Sequence, residues 1–283
     1  MSAEAEGWRA WVGRSESAED LIDVLRARAM QATLDRLEPA LAEGDGLPPL
    51  WHWLYFWGLA PRSGLGPDGH PARGGFLPPI DLPLRMWAGS RVTFARPLPI
   101  GATARRTSMI SDVRQKTGRS GRLAFVTVRH EVADALGAAI LEEQDIVYRE
   151  ATKPDAGPRS GEPAPQDARW TRQVTPDPVL LFRYSALTFN GHRIHYDQPF
   201  ATAEGYPSLV VHGPLLATLM VDLAVDARPE ATIRHFEFRA LRPIFGDAPF
   251  TVAARPAENG EAVDVWVAAP DGMLAMRGRV ELS

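Results

Sequence analysis

The chain has 283 residues, an apolar fraction of 45% and a formal net charge of −4, enough for one large domain or two of ordinary size around a substantial core. Acids and bases are interspersed, so no basic field points to nucleic acid, no polybasic cluster points to an anionic membrane, and no apolar run is long enough to span a bilayer. The absence of cysteine removes thiolate catalysis, disulfides and cysteine-based metal sites, and the acidic, polar N-terminus does not resemble a signal peptide, so the expected location is the cytoplasm.

Ser17-Ala-Glu-Asp20 fits a capping box, and Leu21, Ile22, Leu25, Ala29 and Leu34 follow at helical spacing, which predicts an amphipathic helix over 18–36. Pro48 to Trp57 is the densest aromatic cluster, readable as a packed plug or as a wall over a substrate channel. Residues 58–90, rich in Gly and Pro, read as a long ordered loop. Its glycines lack the strand-to-helix context and the Gly-Lys-Ser/Thr ending of a phosphate cradle.

From Arg91 the pattern turns to strands: 92–94, 107–113, 123–132 and 138–148, with a turn at 117–121, an antiparallel meander. The proline-rich segment after Ala151 is the linker candidate, dividing the chain into 1–150, a linker 151–169, and 170–283. The second half runs from Pro178 through a histidine-bearing stretch to an apolar helical run after Gly213, then strands at 233–239, 250–254, 262–268 and 273–282. Phe94-Ala-Arg-Pro-Leu-Pro-Ile-Gly101 parallels Phe238-Arg-Ala-Leu-Arg-Pro-Ile-Phe-Gly246. Two copies of a helix-plus-antiparallel-sheet unit, α+β with pseudo-twofold symmetry, account for that repeat.

Chemistry concentrates in residues 188–214. Asn190, His192, His195 and Asp197 lie in one loop, and His212-Gly213-Pro214 opens the apolar run, where free backbone N–H groups and the helix dipole can hold a developing oxyanion. His192, His195 and Asp197 could form a small ligand set, but the spacing matches no familiar zinc signature, and no metal is expected. No Gly-x-Ser-x-Gly elbow of a serine hydrolase is present.

Asn190-Gly-His-Arg-Ile-His195, His212-Gly213 and Phe236-Glu-Phe-Arg-Ala-Leu-Arg-Pro243 resemble the MaoC-type R-specific enoyl-CoA hydratases, a family with the hot-dog fold in which an antiparallel sheet wraps a central helix. The likeness is specific over roughly a hundred residues of the second half, while the first half resembles at fold level the dehydratase domain of type I fatty acid synthase. The resemblance implies a double hot-dog and a hydro-lyase acting on an α,β-unsaturated acyl-CoA without a cofactor. Within that branch, Leu50-Trp-His-Trp-Leu-Tyr-Phe56, Arg73-Gly-Gly-Phe-Leu-Pro-Pro79 and Phe189 to Asp197 are similar to hydratases converting 3-methylfumaryl-CoA to citramalyl-CoA. Itaconyl-CoA, a general enoyl-CoA, a 3-hydroxyacyl-thioester dehydratase, a hot-dog thioesterase and a non-catalytic acyl-CoA-binding protein are the alternatives.

On this resemblance His195 is the acid/base, Asn190 orients water, and the Gly213 N–H is the oxyanion donor. The family's catalytic Asp falls on Asn190, whose amide cannot take a proton at neutral pH. His192 either supports a turn or contacts substrate; His212 fixes the loop; Asp197 either orients His195 or caps the turn before Pro199. Arg193, Arg234, Arg239 and Arg242 are candidates for the CoA phosphates, and Arg85 and Arg183 for a substrate carboxylate. A homodimer is compatible with such a scaffold.

Overall fold

The computed structural model describes residues 7–36, 39–118, 121–150, 161–258 and 260–283. In chain order these contain β1 (Ser15–Leu21), α1 (Val24–Thr33), β2 (Leu84–Phe94), β3 (Thr103–Gly118), β4 (Gly121–Asp134), β5 (Gly137–Arg149), β6 (Trp170–Val174), α2 (Pro178–Leu187), α3 (Gln198–Ala203), α4 (Gly213–Ala227), β7 (Ile233–Ala240), β8 (Phe250–Pro256), β9 (Ala262–Ala268) and β10 (Leu274–Leu282). All pairings are antiparallel, and the strands form one sheet in the order β1-β3-β4-β5-β2-β7-β10-β9-β8-β6. Read from the two ends, β6, β8, β9, β10 and β7 stand where β1, β3, β4, β5 and β2 stand, so the internal repeat is a structural one.

The two units meet strand to strand. In the β2–β7 pairing Arg91 lies opposite Glu237 and Val92 opposite Phe236. A Cβ on Gly89 would sit 2.3 Å from the Phe238 carbonyl oxygen, so the seam needs glycine at that point. The central helix of the second unit is α4, buried continuously from Leu215 to Ala224 against strands of its own half. A run this apolar, interrupted only by Thr218 and by Asp222, which pairs with Arg36 at 2.7 Å, must be enclosed, and the sheet encloses it. This is the α+β, double hot-dog architecture.

The aromatic block is a plug. Trp51 to Leu54 form a 3-10 turn, and Trp51, Leu54, Tyr55 and Phe56 are buried in the same core as α4. At about 1.5–3 kcal/mol per large apolar side chain fully buried, such a block carries much of the first unit's stability.

Two sequence expectations are corrected. The helix predicted over 18–36 is a strand followed by a shorter helix: Ser17 to Asp20 pair with Thr107 to Ala104, and the cap of α1 is Asp23, whose Oδ1 accepts from the Arg26 N–H at 2.9 Å. Leu21 and Leu25, which produced the helical spacing, are 50% and 73% exposed, while β1 gains its place by covering the edge of β3. The loop predicted over 58–90 ends at Pro83, because Leu84 onward pairs with β5 across a bulge between Trp87 and Gly89 that disguises the alternation. Part of the expected turn at 117–121 and residues 151–160 of the expected linker lie outside the described residues.

Candidate active site

Helix α2 begins at Asp177, whose carboxylate accepts from the Val179 and Leu180 N–H groups, with Pro178 at the first helical position. The helix ends where Phe189 takes a left-handed φ of 51°, and the chain turns into the histidine loop. Asn190 Oδ1 accepts the His192 N–H at 3.0 Å, which holds the turn and leaves the amide NH2 as the side chain's donor. Asp197 caps α3 by accepting from the Phe200 N–H at 3.0 Å and pairs with Arg193 at 2.7 Å. His195 takes its orientation from elsewhere.

That elsewhere is the Val210 carbonyl, 2.7 Å from His195 Nδ1. A carbonyl only accepts, so Nδ1 carries the hydrogen, and in the neutral ring Nε2 is the basic nitrogen. Burial lowers the His195 pKa to about 4, against the Val210 bond that favours the charged form. His195 is therefore neutral near pH 7. Its ring stacks on His212 at 3.7 Å, and His212, fully buried, is fixed through Nε2 by Ser185 Oγ at 2.8 Å. Burial first, and then the charges of His195 and His192, hold His212 well below the ordinary histidine range.

His212 is also the residue before α4, so the stack ends at a helix N-terminus. Gly213 is the first helical residue and Pro214 has no N–H, leaving the Gly213 amide as the leading donor there. A Cβ on Gly213 would meet only Met276 Cε, at 4.0 Å, so side chains do not crowd the backbone at this point.

The opposite end of the histidine row is built by the loop of the first unit. Arg193 N–H donates to the Asp68 carbonyl at 2.9 Å and Arg193 Nη1 to the Pro67 carbonyl at 3.0 Å, which docks residues 67–70 on the histidine loop. Gly69, at φ 86°, touches Gly191 so closely that a Cβ would lie 1.9 Å from the Gly191 carbonyl oxygen. The docking delivers His70, whose ring lies 4.3 Å from His192, itself 5.4 Å from His195. Burial, then the charge of Arg85, then that of His195 lower His70 to about 3; burial, His70 and His195 lower His192 to about 3.

Sequence reasoning missed His70, Ser185 and the Val210 carbonyl. The signal for His70 was the Asp68-Gly69-His70 turn in a loop long enough to be functional; for Ser185 and Val210 the sequence held none. Among the arginines, Arg85 lies against Tyr148, near His70 and His192. Arg193 is tied to Asp197 and Arg242 to Asp271 at 2.9 Å, while Arg183, Arg234 and Arg239 are exposed. Asp68, His70 and His192 bring ligand atoms within 4.8 Å of one another and are the residues that could hold a metal, a different set from the one the sequence suggested. The Arg85 charge acts against a cation at both imidazoles, while the Asp68 carboxylate acts in favour of one at His192. No helix among the described residues is long and apolar enough to cross a membrane.

Known proteins resemble this chain over most of its length. Residues 50–246 match the family model described as hydroxyacyl-thioester dehydratase type 2. A mesaconyl-C(4)-CoA hydratase of Chloroflexus aurantiacus is 51% identical over 278 residues, covering 97% of this chain and 98% of that protein. The mitochondrial hydroxyacyl-thioester dehydratase type 2 of Schizosaccharomyces pombe is 28% identical over 275 residues, covering 83% of this chain and 91% of that protein. Among solved structures, a MaoC-like dehydratase from Phytophthora capsici superposes with a TM-score of 0.70 at 13% identity, covering 98% of each chain. A Mycobacterium tuberculosis protein described as a double hot-dog superposes with a TM-score of 0.57 at 14% identity, covering 96% of each chain. The chain belongs to the hydroxyacyl-thioester dehydratase type 2 family, and it shares the double hot-dog fold of the MaoC-like dehydratases.

Proposed function

We propose that the protein catalyses reversible hydration of a dicarboxylic enoyl-CoA of the mesaconyl-C(4)-CoA (3-methylfumaryl-CoA) type, giving the β-hydroxy thioester citramalyl-CoA. The observation that carries this reading is the pairing of an oriented, neutral imidazole with a helix N-terminus. His195 has Nδ1 held by Val210, and the ring stacked on it precedes the Gly213 amide. Full-length likeness to a mesaconyl-C(4)-CoA hydratase supports the acyl group.

In the hydration direction, the thioester carbonyl oxygen accepts from the Gly213 N–H, which polarises the conjugated double bond. His195 Nε2 takes a proton from water as the water oxygen bonds to Cβ, and the electron pair of the double bond moves toward the thioester oxygen as an enolate. The enolate collapses as Cα receives a proton from the His195 imidazolium, so one hydroxyl and one hydrogen are added and the thioester stays intact. The Asn190 NH2 orients the attacking water, a role an amide can fill without titrating. A pKa near 4 makes the imidazolium a strong acid, suited to returning the proton at once.

His195→Ala tests the reading. Turnover of mesaconyl-C(4)-CoA falls at least about 100-fold, the usual scale for an acid/base group, while the melting temperature stays near that of the wild type. An unaltered rate removes His195 from the mechanism.

A further inference from the structure

We propose that Arg85, with the Tyr148 hydroxyl, forms an anion subsite that holds a free carboxylate at the end of the acyl group remote from the thioester. The proposal rests on the hydratase reading and adds to it the residue that selects the substrate.

Arg85 is half-buried near the start of β2, and among the described residues no carboxylate lies within ion-pair distance of it. On the same strand Arg91 is paired with both Glu143 and Asp145. A partly desolvated guanidinium without a counter-charge is costly, and it forms a binding site for an anion that arrives later. Tyr148 stands opposite Arg85 in the β2–β5 pairing; it is 1% exposed, burial pushes its pKa up, and the charge of Arg85 works against that rise. The two parallel N–H groups of a guanidinium fork and a phenol O–H together offer three donors to the two oxygens of a carboxylate.

The subsite stands at the correct end of the site. The charge of Arg85 acts on His70 and His192, while the charges acting on His212 are those of His195 and His192. The row therefore runs Arg85, His70 and His192, His195, His212, and then the Gly213 amide. An enoyl thioester with its carbonyl on Gly213 and its double bond beside His195 points its far end past His192 toward Arg85. His70 and His192 are held neutral there, so they do not compete with Arg85 for the negative charge, and the Asp68 carboxylate beside them makes Arg85 the group that must supply the positive charge at this end. A short chain ending in carboxylate completes this row, whereas a chain ending in methyl leaves the guanidinium unpaired.

The probes are succinyl-CoA and butyryl-CoA, saturated thioesters that do not react and differ by one carboxylate, titrated calorimetrically into the full-length protein. The wild type is expected to bind succinyl-CoA at least about 100-fold more tightly, and Arg85→Gln to bring that preference below about tenfold, with Arg85→Lys between them. In turnover, the ratio of kcat/KM for mesaconyl-C(4)-CoA over crotonyl-CoA falls in parallel. A wild type without preference for succinyl-CoA overturns the proposal, whatever the variants do. Equal weakening of both thioesters in Arg85→Gln also overturns it, because that places Arg85 on the CoA moiety they share. A wild type that prefers succinyl-CoA but hydrates no enoyl-CoA keeps the subsite and refutes the hydratase reading.

Discussion

Two nitrogens of one ring set the chemistry at the residue scale. His195 Nδ1 is committed to Val210, so protonation at Nε2 is the event that removes the base, and burial places that event at about 4. The pH profile of kcat/KM is accordingly expected to run flat through the ordinary histidine range near 6.5 and to fall only as pH approaches about 4; an acid limb near 6.5 contradicts a buried, neutral base. His192, His195 and His212 were legible because they share one short stretch of chain. His70 was not, since it lies far away in sequence and joins them only when the loop of the first unit docks. The two roles open to Asp197 were equally good on spacing alone, and the geometry gives its carboxylate to the α3 cap and Arg193.

At the scale of elements, the contact between Gly69 and Gly191 decides whether the first unit contributes to the site. Gly69→Ala combines a left-handed φ of 86° with a Cβ driven into the Gly191 carbonyl, so residues 67–70 must lift and His70 leaves the row. The expected outcome is loss of activity on the dicarboxylic substrate exceeding the loss of stability, checked by kinetics beside thermal melting; a variant with wild-type kinetics shows that the docking is incidental. A second element is the inner face of β5, where Glu142 accepts from Ser90 Oγ at 2.9 Å and Trp53 Nε1 at 3.0 Å and meets His52 Nε2 at 3.1 Å. Burial alone would raise this carboxyl, yet the His52 bond and charge, with His130 and Trp53, bring it to about 2. Glu142→Ala leaves those partners buried without an acceptor and is expected to cost about 3–5 kcal/mol in chemical unfolding; a loss under about 1 kcal/mol contradicts the network. The largely apolar α4 and the alternating strands of the meander were readable from period alone. The β1 segment was not, because its helical spacing drew on Leu21 at the end of the edge strand and Leu25 in α1, both of which remain exposed.

At the scale of the whole molecule, the repeat from Phe94 and Phe238 foretold two similar units, but sequence carries no sign that β2 and β7 would join them into one sheet. That seam depends on a close approach at Gly89, set by the pairing of two strands far apart in the chain. The fold also buries neutral histidines: His70 and His192 near 3, His130 and His195 near 4, all below the ordinary 6.5. Between those limits the unfolded chain binds protons the folded one refuses, so the stability is fully present above 6.5 and is lost as pH falls through about 4 toward about 3. Asp222, raised to about 6 chiefly by burial, works the other way for a single group and is outweighed. Denaturant midpoints should therefore drop steadily over that window, and a flat profile contradicts the burial.

The measurement closest to the central claim is incubation of the wild-type protein with mesaconyl-C(4)-CoA in heavy-oxygen water, followed by mass spectrometry. The account predicts one labelled hydroxyl on the acyl chain, loss of the enoyl absorbance and no release of free CoA thiol. Free thiol with label in a carboxylate would make the protein a thioesterase, and recovery of unlabelled substrate would contradict the hydratase assignment.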